Sequence, residues 1–195
     1  MNIKVNPQST GHLVNPVVSI HRLVWIAVMG ALTAVGGLVA IPINPLSPVP
    51  ITLQTMFVVL SGLILGPKRG VAAVLLYILA GAIGLPIFAG GKGGLAVLIG
   101  PTGGFIVGFI VAAAFCGWAS KGPAGCNFRL LVGLCLAGVS TILFLGSIWL
   151  KISLDISITK ALLAGLVPFL PGEVLKSISA ASIYRFLKTC RLLPS

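Results

Sequence analysis

Apolar runs recur along this chain, and nearly all of its charged residues lie in the gaps between them. A helix that crosses a bilayer needs about 20 mostly apolar residues. Leu23–Ile43 and Leu130–Leu150 supply such runs. Ile51–Leu65, Val71–Leu85 and Phe105–Ala119 are shorter, and Ala161–Leu187 is interrupted by Pro168, Pro171 and Gly172. The pattern predicts an all-α integral membrane protein, a bundle of six transmembrane helices, several of them short or broken. A soluble fold does not fit. The 195 residues are 57% hydrophobic and 8% charged, against roughly 25% charged in soluble domains. A globule of this size leaves much of its surface in water, where so much apolar area has no place.

The predicted organisation is a polar N-terminal segment (1–22), a transmembrane body (23–189) and a short tail (190–195). The first 20 residues are polar and contain Pro, with no apolar stretch of the signal-peptide kind. A Pro cluster (Pro42, Pro45, Pro48, Pro50) ends the first run, and a Gly-rich stretch occupies Gly90–Gly104. Broken backbone at membrane depth must be buried in protein or line a cavity. The Gly90–Gly104 and Pro168–Gly172 stretches are therefore where a site is expected.

Charge sets the expected orientation. Thirteen Lys and Arg oppose only Asp155 and Glu173, for a net charge of +11. Six spans put both termini on one side. That side holds Lys4, Arg22, Lys68, Arg69, Lys121, Arg129, Arg185, Lys188 and Arg191, whereas the other holds Lys92, Lys151 and Lys160. The bias of cytoplasmic loops towards Lys and Arg places both termini in the cytoplasm. Nucleic-acid binding is not indicated, because it needs basic residues clustered on one polar face. Cys116, Cys126, Cys135 and Cys190 form no CxxC pair, and no His stands at zinc-ligand spacing, so no metal site is expected. His12 and His21 both precede the first apolar run. Two acids and no Ser-His-Asp or Cys-His arrangement leave no basis for catalysis, and no cofactor is expected.

Glu173 and Lys176 are an opposite-charge pair inside an apolar run, three residues apart and so on one helix side. Pro171 suits a first helical turn, which puts Glu173 near a helix N-terminus, where negative charge is favoured. Ionisable groups inside a membrane are costly and mark functional sites. An ion pair that only reaches for the interface is the alternative. Lys92 lies in Gly90-Gly91-Lys92-Gly93-Gly94, a loop whose backbone can approach a ligand closely. It is not a Walker motif, since Pro86 stands where that motif needs its first Gly and Gly93 where it needs Ser or Thr. Small-residue pairs at four-residue spacing (Ala27–Ala31, Gly30–Ala34, Gly62–Gly66, Gly104–Gly108) allow close helix approach. For the Gly62 and Gly104 pairs internal packing is expected. For the first helix, internal packing and a docking face for another subunit both stand.

Five stretches together resemble one family. They are V-P-I-T-L-Q-T (Val49–Thr55), G-L-I-L-G-P-K-R-G (Gly62–Gly70), L-L-Y-I-L-A-G-A-I-G-L-P-I-F-A-G-G (Leu75–Gly91), G-P-T-G-G-F (Gly100–Phe105) and P-F-L-P-G-E-V-L-K (Pro168–Lys176). In this order they resemble the BioY family, the biotin-binding components of energy-coupling-factor transporters. The resemblance implies a six-helix bundle in a prokaryotic cell membrane that captures biotin from outside. It also implies a transmembrane coupling subunit and two ATPase subunits as partners, with Ala27 and Ala31 on the docking face. Two positions depart from the family's pattern: Glu173 replaces an Asp, and Phe105 replaces a Tyr. Biotin offers two ureido N–H donors, one carbonyl acceptor, an apolar body and a carboxylate tail. The expected site is Glu173 for the N–H groups, Lys176 for the carbonyl, and Lys92 with the Gly90 and Gly91 backbone for the tail. Phe88 and Phe105 are expected to cover the ring. The rival readings are a self-contained channel or facilitator, a structural membrane subunit, or a component for a different vitamin.

Overall fold

The computed structural model describes residues 16–122 and 127–193, with side chains from residue 20 onward. Lys4, His12 and Cys126 lie outside the described residues, as does most of the predicted N-terminal segment.

Helix α1 (Pro16–Leu38) starts earlier than the apolar run and stops before its end. Gly36 and Gly37 weaken the helix, and Pro42 drives the residue before it to extended backbone. Ala40–Ile41 (β1) accordingly pairs antiparallel with Ile51–Thr52 (β2), closing a small hairpin over one end of the bundle.

Helix α2 (Gln54–Ala82) is broken at Gly66, where φ is 77°, and Pro67 follows. The two legs run antiparallel. The Gln54 carboxamide donates to the Tyr77 hydroxyl 23 residues on, a separation that would span about 35 Å in one straight helix. Gly62 and Gly70 likewise face each other across the turn: a Cβ added to Gly70 would lie 2.8 Å from Gly62 Cα. The Gly-Pro break thus makes two short passes out of one helical stretch.

A short helix α3 (Leu95–Ile99) lies within the Gly-rich stretch, which the sequence reads as loop. Helix α4 (Gly103–Ala119) follows, then α5 (Phe128–Leu154), capped by the Asn127 side chain. Helix α6 (Ile158–Gly165), capped by Ser157, passes through a 3-10 turn (Val167–Phe169) into α7 (Leu170–Thr189). The predicted interruption at Pro168–Gly172 is this turn, with Pro171 seated in the first turn of α7.

The six passes are α1, the two legs of α2, α4, α5 and the α6–α7 segment. Stretches long and apolar enough to cross a membrane are Ile20–Leu38, Gln54–Ala82, Phe128–Leu154 and Ile158–Thr189, with Gly103–Ala119 a shorter apolar helix. Leu23, Leu79, Phe144 and Leu175 are among the many large apolar residues left exposed, as a lipid-facing surface requires.

Glycines set the packing. A Cβ on Gly62 would run into the Ala113 carbonyl, and one on Gly108 would lie 2.9 Å from Ile142 Cα. Gly117 abuts the backbone of Gly66 and Pro67. The Gly62–Gly66 and Gly104–Gly108 pairs therefore pack inside the bundle. On α1, Met29, Gly30, Thr33, Gly36 and Gly37 face inward, and Gly30 abuts the Ala73 carbonyl. Ala27 and Ala31 lie on the opposite, exposed side of α1.

Candidate functional site

One end of the bundle gathers the hairpin, both outer ends of α2, the start of α4, the end of α5 and the start of α7. They enclose a small cavity, part of it open to solvent. Ligand pockets are mostly apolar with a few polar anchors. This cavity has that make-up on two unlike walls. One is apolar and aromatic, with Phe88, Phe105, Phe109 and Phe169. The other is a polar strip of Thr52, Gln54, Thr55, Tyr77 and Glu173.

The aromatic wall depends on glycines elsewhere. A Cβ on Gly81 would strike the Phe88 ring, and one on Gly146 would strike the Phe105 ring. Phe88 stands edge-on to Tyr77 with ring centres 5.5 Å apart, and Phe105 lies 6.3 Å from Phe169. Phe105 is further fixed from behind. Trp149 donates its indole N–H to Gly100 O at 2.9 Å, and a side chain on Gly104 would collide with the Trp149 ring. The glycines of Gly100–Phe105 let the turn lie flat on α5 so that the next residue points into the cavity.

The polar strip centres on Glu173, in the first turn of α7 and 3% exposed. The Thr55 hydroxyl donates to its carboxylate, with oxygen separations of 2.9 and 3.1 Å. The Lys176 ammonium donates to the same carboxylate, to Thr55 Oγ1 at 3.0 Å and to Thr52 O at 2.8 Å. Thr55 thus accepts a hydrogen bond from Lys176 and donates its own to Glu173. Each of the three ammonium protons has an acceptor. Such completeness is what makes a buried ion pair tolerable. Lys176 stands behind the carboxylate: its side chain lines a separate groove with Ile51, Met56 and Leu175, and Glu173 alone of the pair faces the cavity. Beside them, Thr52 Oγ1 donates to Gln54 Oε1 at 3.4 Å, and Gln54 donates to the Tyr77 oxygen, which leaves the phenol proton to donate onward.

The structure brings together Glu173, Phe88 and Phe105 on the cavity wall, with Lys176 one layer back. Gly90, Gly91 and Lys92 form an exposed turn next to it. Phe88 N donates to Lys92 O at 2.8 Å and Gly91 N to Phe88 O at 2.9 Å, with Gly90 and Gly91 at positive φ. Gly90 N donates to Gly37 O, which ties this turn to α1.

Sequence reasoning passed over Thr52, Gln54, Thr55, Tyr77, Phe109 and Phe169. For the first three a signal existed. They are polar residues at the head of an apolar run, and a buried amide or hydroxyl in a membrane must find a partner. Phe109 and Phe169 carried none, since aromatic residues on apolar helices are ordinary core.

The sequence profile of the BioY family matches residues 8–193. The biotin transporter BioY of Thermotoga maritima is 41% identical over 168 residues, covering 86% of this chain and 96% of the relative. The probable biotin transporter BioY of Pyrococcus horikoshii is 39% identical over 158 residues, covering 81% and 90%. Among solved structures, the crystal structure of the S-component for biotin from an ECF-type ABC transporter superposes with a TM-score of 0.82. It is 31% identical and covers 91% of this chain and 95% of that one.

Proposed function

The chain belongs to the BioY family, and on that premise we propose that its two-walled cavity is where biotin binds. The protein is a biotin transporter component, resident in a membrane, and not an enzyme. The observation that carries the site is a buried carboxylate on the polar strip of a cavity whose other wall is aromatic, held by Thr55 and Lys176.

A carboxylate accepts N–H donors through charge-assisted bonds, and the ureido ring supplies two. Glu173 is the acceptor for that edge of the ligand. Lys176, with its protons committed, acts on the ligand through Glu173 as a positioning residue. The ureido carbonyl is left to the Tyr77 hydroxyl, on the same strip. Phe88 and Phe105 flank the bicyclic body. Gly90 and Gly91 allow the rim to close down on the side chain, and Lys92, on the same exposed turn, is the cation proposed for the tail.

Orientation and partners follow the same reading. Arg22, Lys68, Arg69, Lys121, Arg129, Arg185 and Lys188 mark the end of the bundle opposite the cavity. That end faces the cytoplasm by the positive-inside rule, both termini with it, and the cavity opens outward in a prokaryotic cell membrane. A transmembrane coupling subunit and two ATPases supply the energy. Ala27 and Ala31 are exposed on α1, and small residues at this spacing let a partner helix approach closely.

The test is calorimetric titration of the purified chain with biotin, without ATP or partner subunits. Saturable one-to-one heat is expected. No heat with biotin, but heat with an unrelated vitamin, would overturn the assignment.

A further inference from the structure

The charges around the cavity do not match a ligand that is itself an anion. Glu173 is the charged side chain on its wall, and it is negative. Lys176 does not make up the difference. It cancels the charge of Glu173 and no more, spends its three protons on Thr52 O, Thr55 and Glu173, and faces a groove outside the cavity. No Lys or Arg is among the lining residues. The start of α4 has most of its donors committed as well. Thr102 Oγ1 donates to Val97 O at 3.3 Å, while the N–H groups of Gly103, Phe105 and Ile106 go to Gly100 O and Thr102 O. A carboxylate drawn into this space would be stripped of water beside another carboxylate with no cation to meet it. Lys92 is exposed, on the turn that continues from Phe88 and Ala89 at the cavity wall, and Lys160 lies at the same end beside Pro45, Leu46 and Pro48, outside the cavity lining.

We propose that this protein reads biotin by its bicyclic head alone and leaves the acid end of the side chain at the solvent-facing rim. Its ligand class therefore extends to neutral side-chain amides of the vitamin, including the conjugate with the lysine side chain. The inference rests on the cavity being the biotin site. Exposed ion pairs are worth about 0–1 kcal/mol, so loss of the contact with Lys92 costs at most about fivefold in affinity.

The experiment compares four ligands on the same purified full chain by calorimetry: biotin, its primary amide, its ε-lysyl conjugate, and the diamine formed by opening the urea. The amide keeps the shape of the acid but not its charge. The expected result is binding of biotin, with the amide and the conjugate within about tenfold of it and the diamine weaker by at least a hundredfold. Raising the salt from low to physiological concentration should change the biotin affinity by less than threefold, since screening acts on exposed charges. If biotin binds but the amide is a hundredfold weaker, a buried cation reads the acid and the proposal falls while the biotin site stands. If the amide binds and the ε-lysyl conjugate does not, the tail end is enclosed and the extension to conjugates is wrong. If biotin itself does not bind, the site assignment fails first and takes this inference with it.

Discussion

Removing the Lys176 ammonium tests the polar strip most directly. In Lys176→Met the chain length and apolar character of the stem are kept, and only the charge and its donors are lost. Three hydrogen bonds vanish: those to Thr52 O at 2.8 Å, Thr55 Oγ1 at 3.0 Å and Glu173. Glu173, 3% exposed, is left with the Thr55 hydroxyl alone. Breaking a buried pair by removing one partner costs about 3–5 kcal/mol. At about 1.4 kcal/mol per decade that is roughly two to four decades, divided between folding stability and biotin affinity. Replacing both partners, Glu173→Gln with Lys176→Met, removes the stranded charge. The double variant is therefore expected to be more stable than Lys176→Met alone, although it loses the acceptor for the ureido edge. Lys151, exposed in the last turn of α5, is the control, and Lys151→Ala is expected within about 0.5 kcal/mol of the parent. The assays are the thermal midpoint in detergent and the biotin Kd for these proteins and for Glu173→Gln alone, five with the parent. Equal losses for Lys176→Met and Lys151→Ala would refute the reasoning. So would a double variant whose stability loss equals the sum of the single losses, because no coupling would then exist between the two charges.

The outer face of α1 gives a second outcome. Ala27→Trp with Ala31→Trp is expected to leave biotin binding by the isolated chain intact but abolish energised uptake, with protein level in the membrane as control; loss of both would mean that the face packs internally. In the interior, Gly108→Ala places a methyl 2.9 Å from Ile142 Cα, and a loss of about 1–3 kcal/mol in the thermal denaturation of purified protein is expected from overpacking. Orientation is checked by single-cysteine labelling of intact cells in a background lacking the native thiols. Lys92→Cys should react with an impermeant maleimide and Lys68→Cys should not, and the reverse pattern would invert the topology.

Much of the architecture was legible because the bilayer acts on short stretches of chain. The length of an apolar run, the Gly66–Pro67 break, the Pro168–Gly172 interruption and the placing of Lys and Arg are local properties, and they led to six passes with some of them short. Helix ends were less legible. Gly36, Gly37 and Pro42 converted the end of the first run into a strand, and only pairing with Ile51–Thr52 made that strand stable. The charged pair at Glu173 and Lys176 was visible too, since charge in an apolar run is conspicuous.

What the sequence could not decide was who meets whom. Thr55 reaches Glu173 across 118 residues, and Gln54 reaches Tyr77 across 23. Neither contact is implied by spacing, because both depend on how the legs of α2 fold back and where α7 docks. Three residues along a helix turn the side chain by about 300°, so Lys176 sits some 60° away from Glu173 around α7. The spacing alone put them on one side; packing decided that Glu173 faces the cavity and Lys176 the groove behind it. Likewise the Ala27–Ala31 pair reads the same on a buried or an exposed face. Gly30, abutting the Ala73 carbonyl, turned the other side of α1 inward and left that pair outside. Local chemistry selects the elements and their solvent, while the walls of the cavity come from contacts that exist only once the helices have packed.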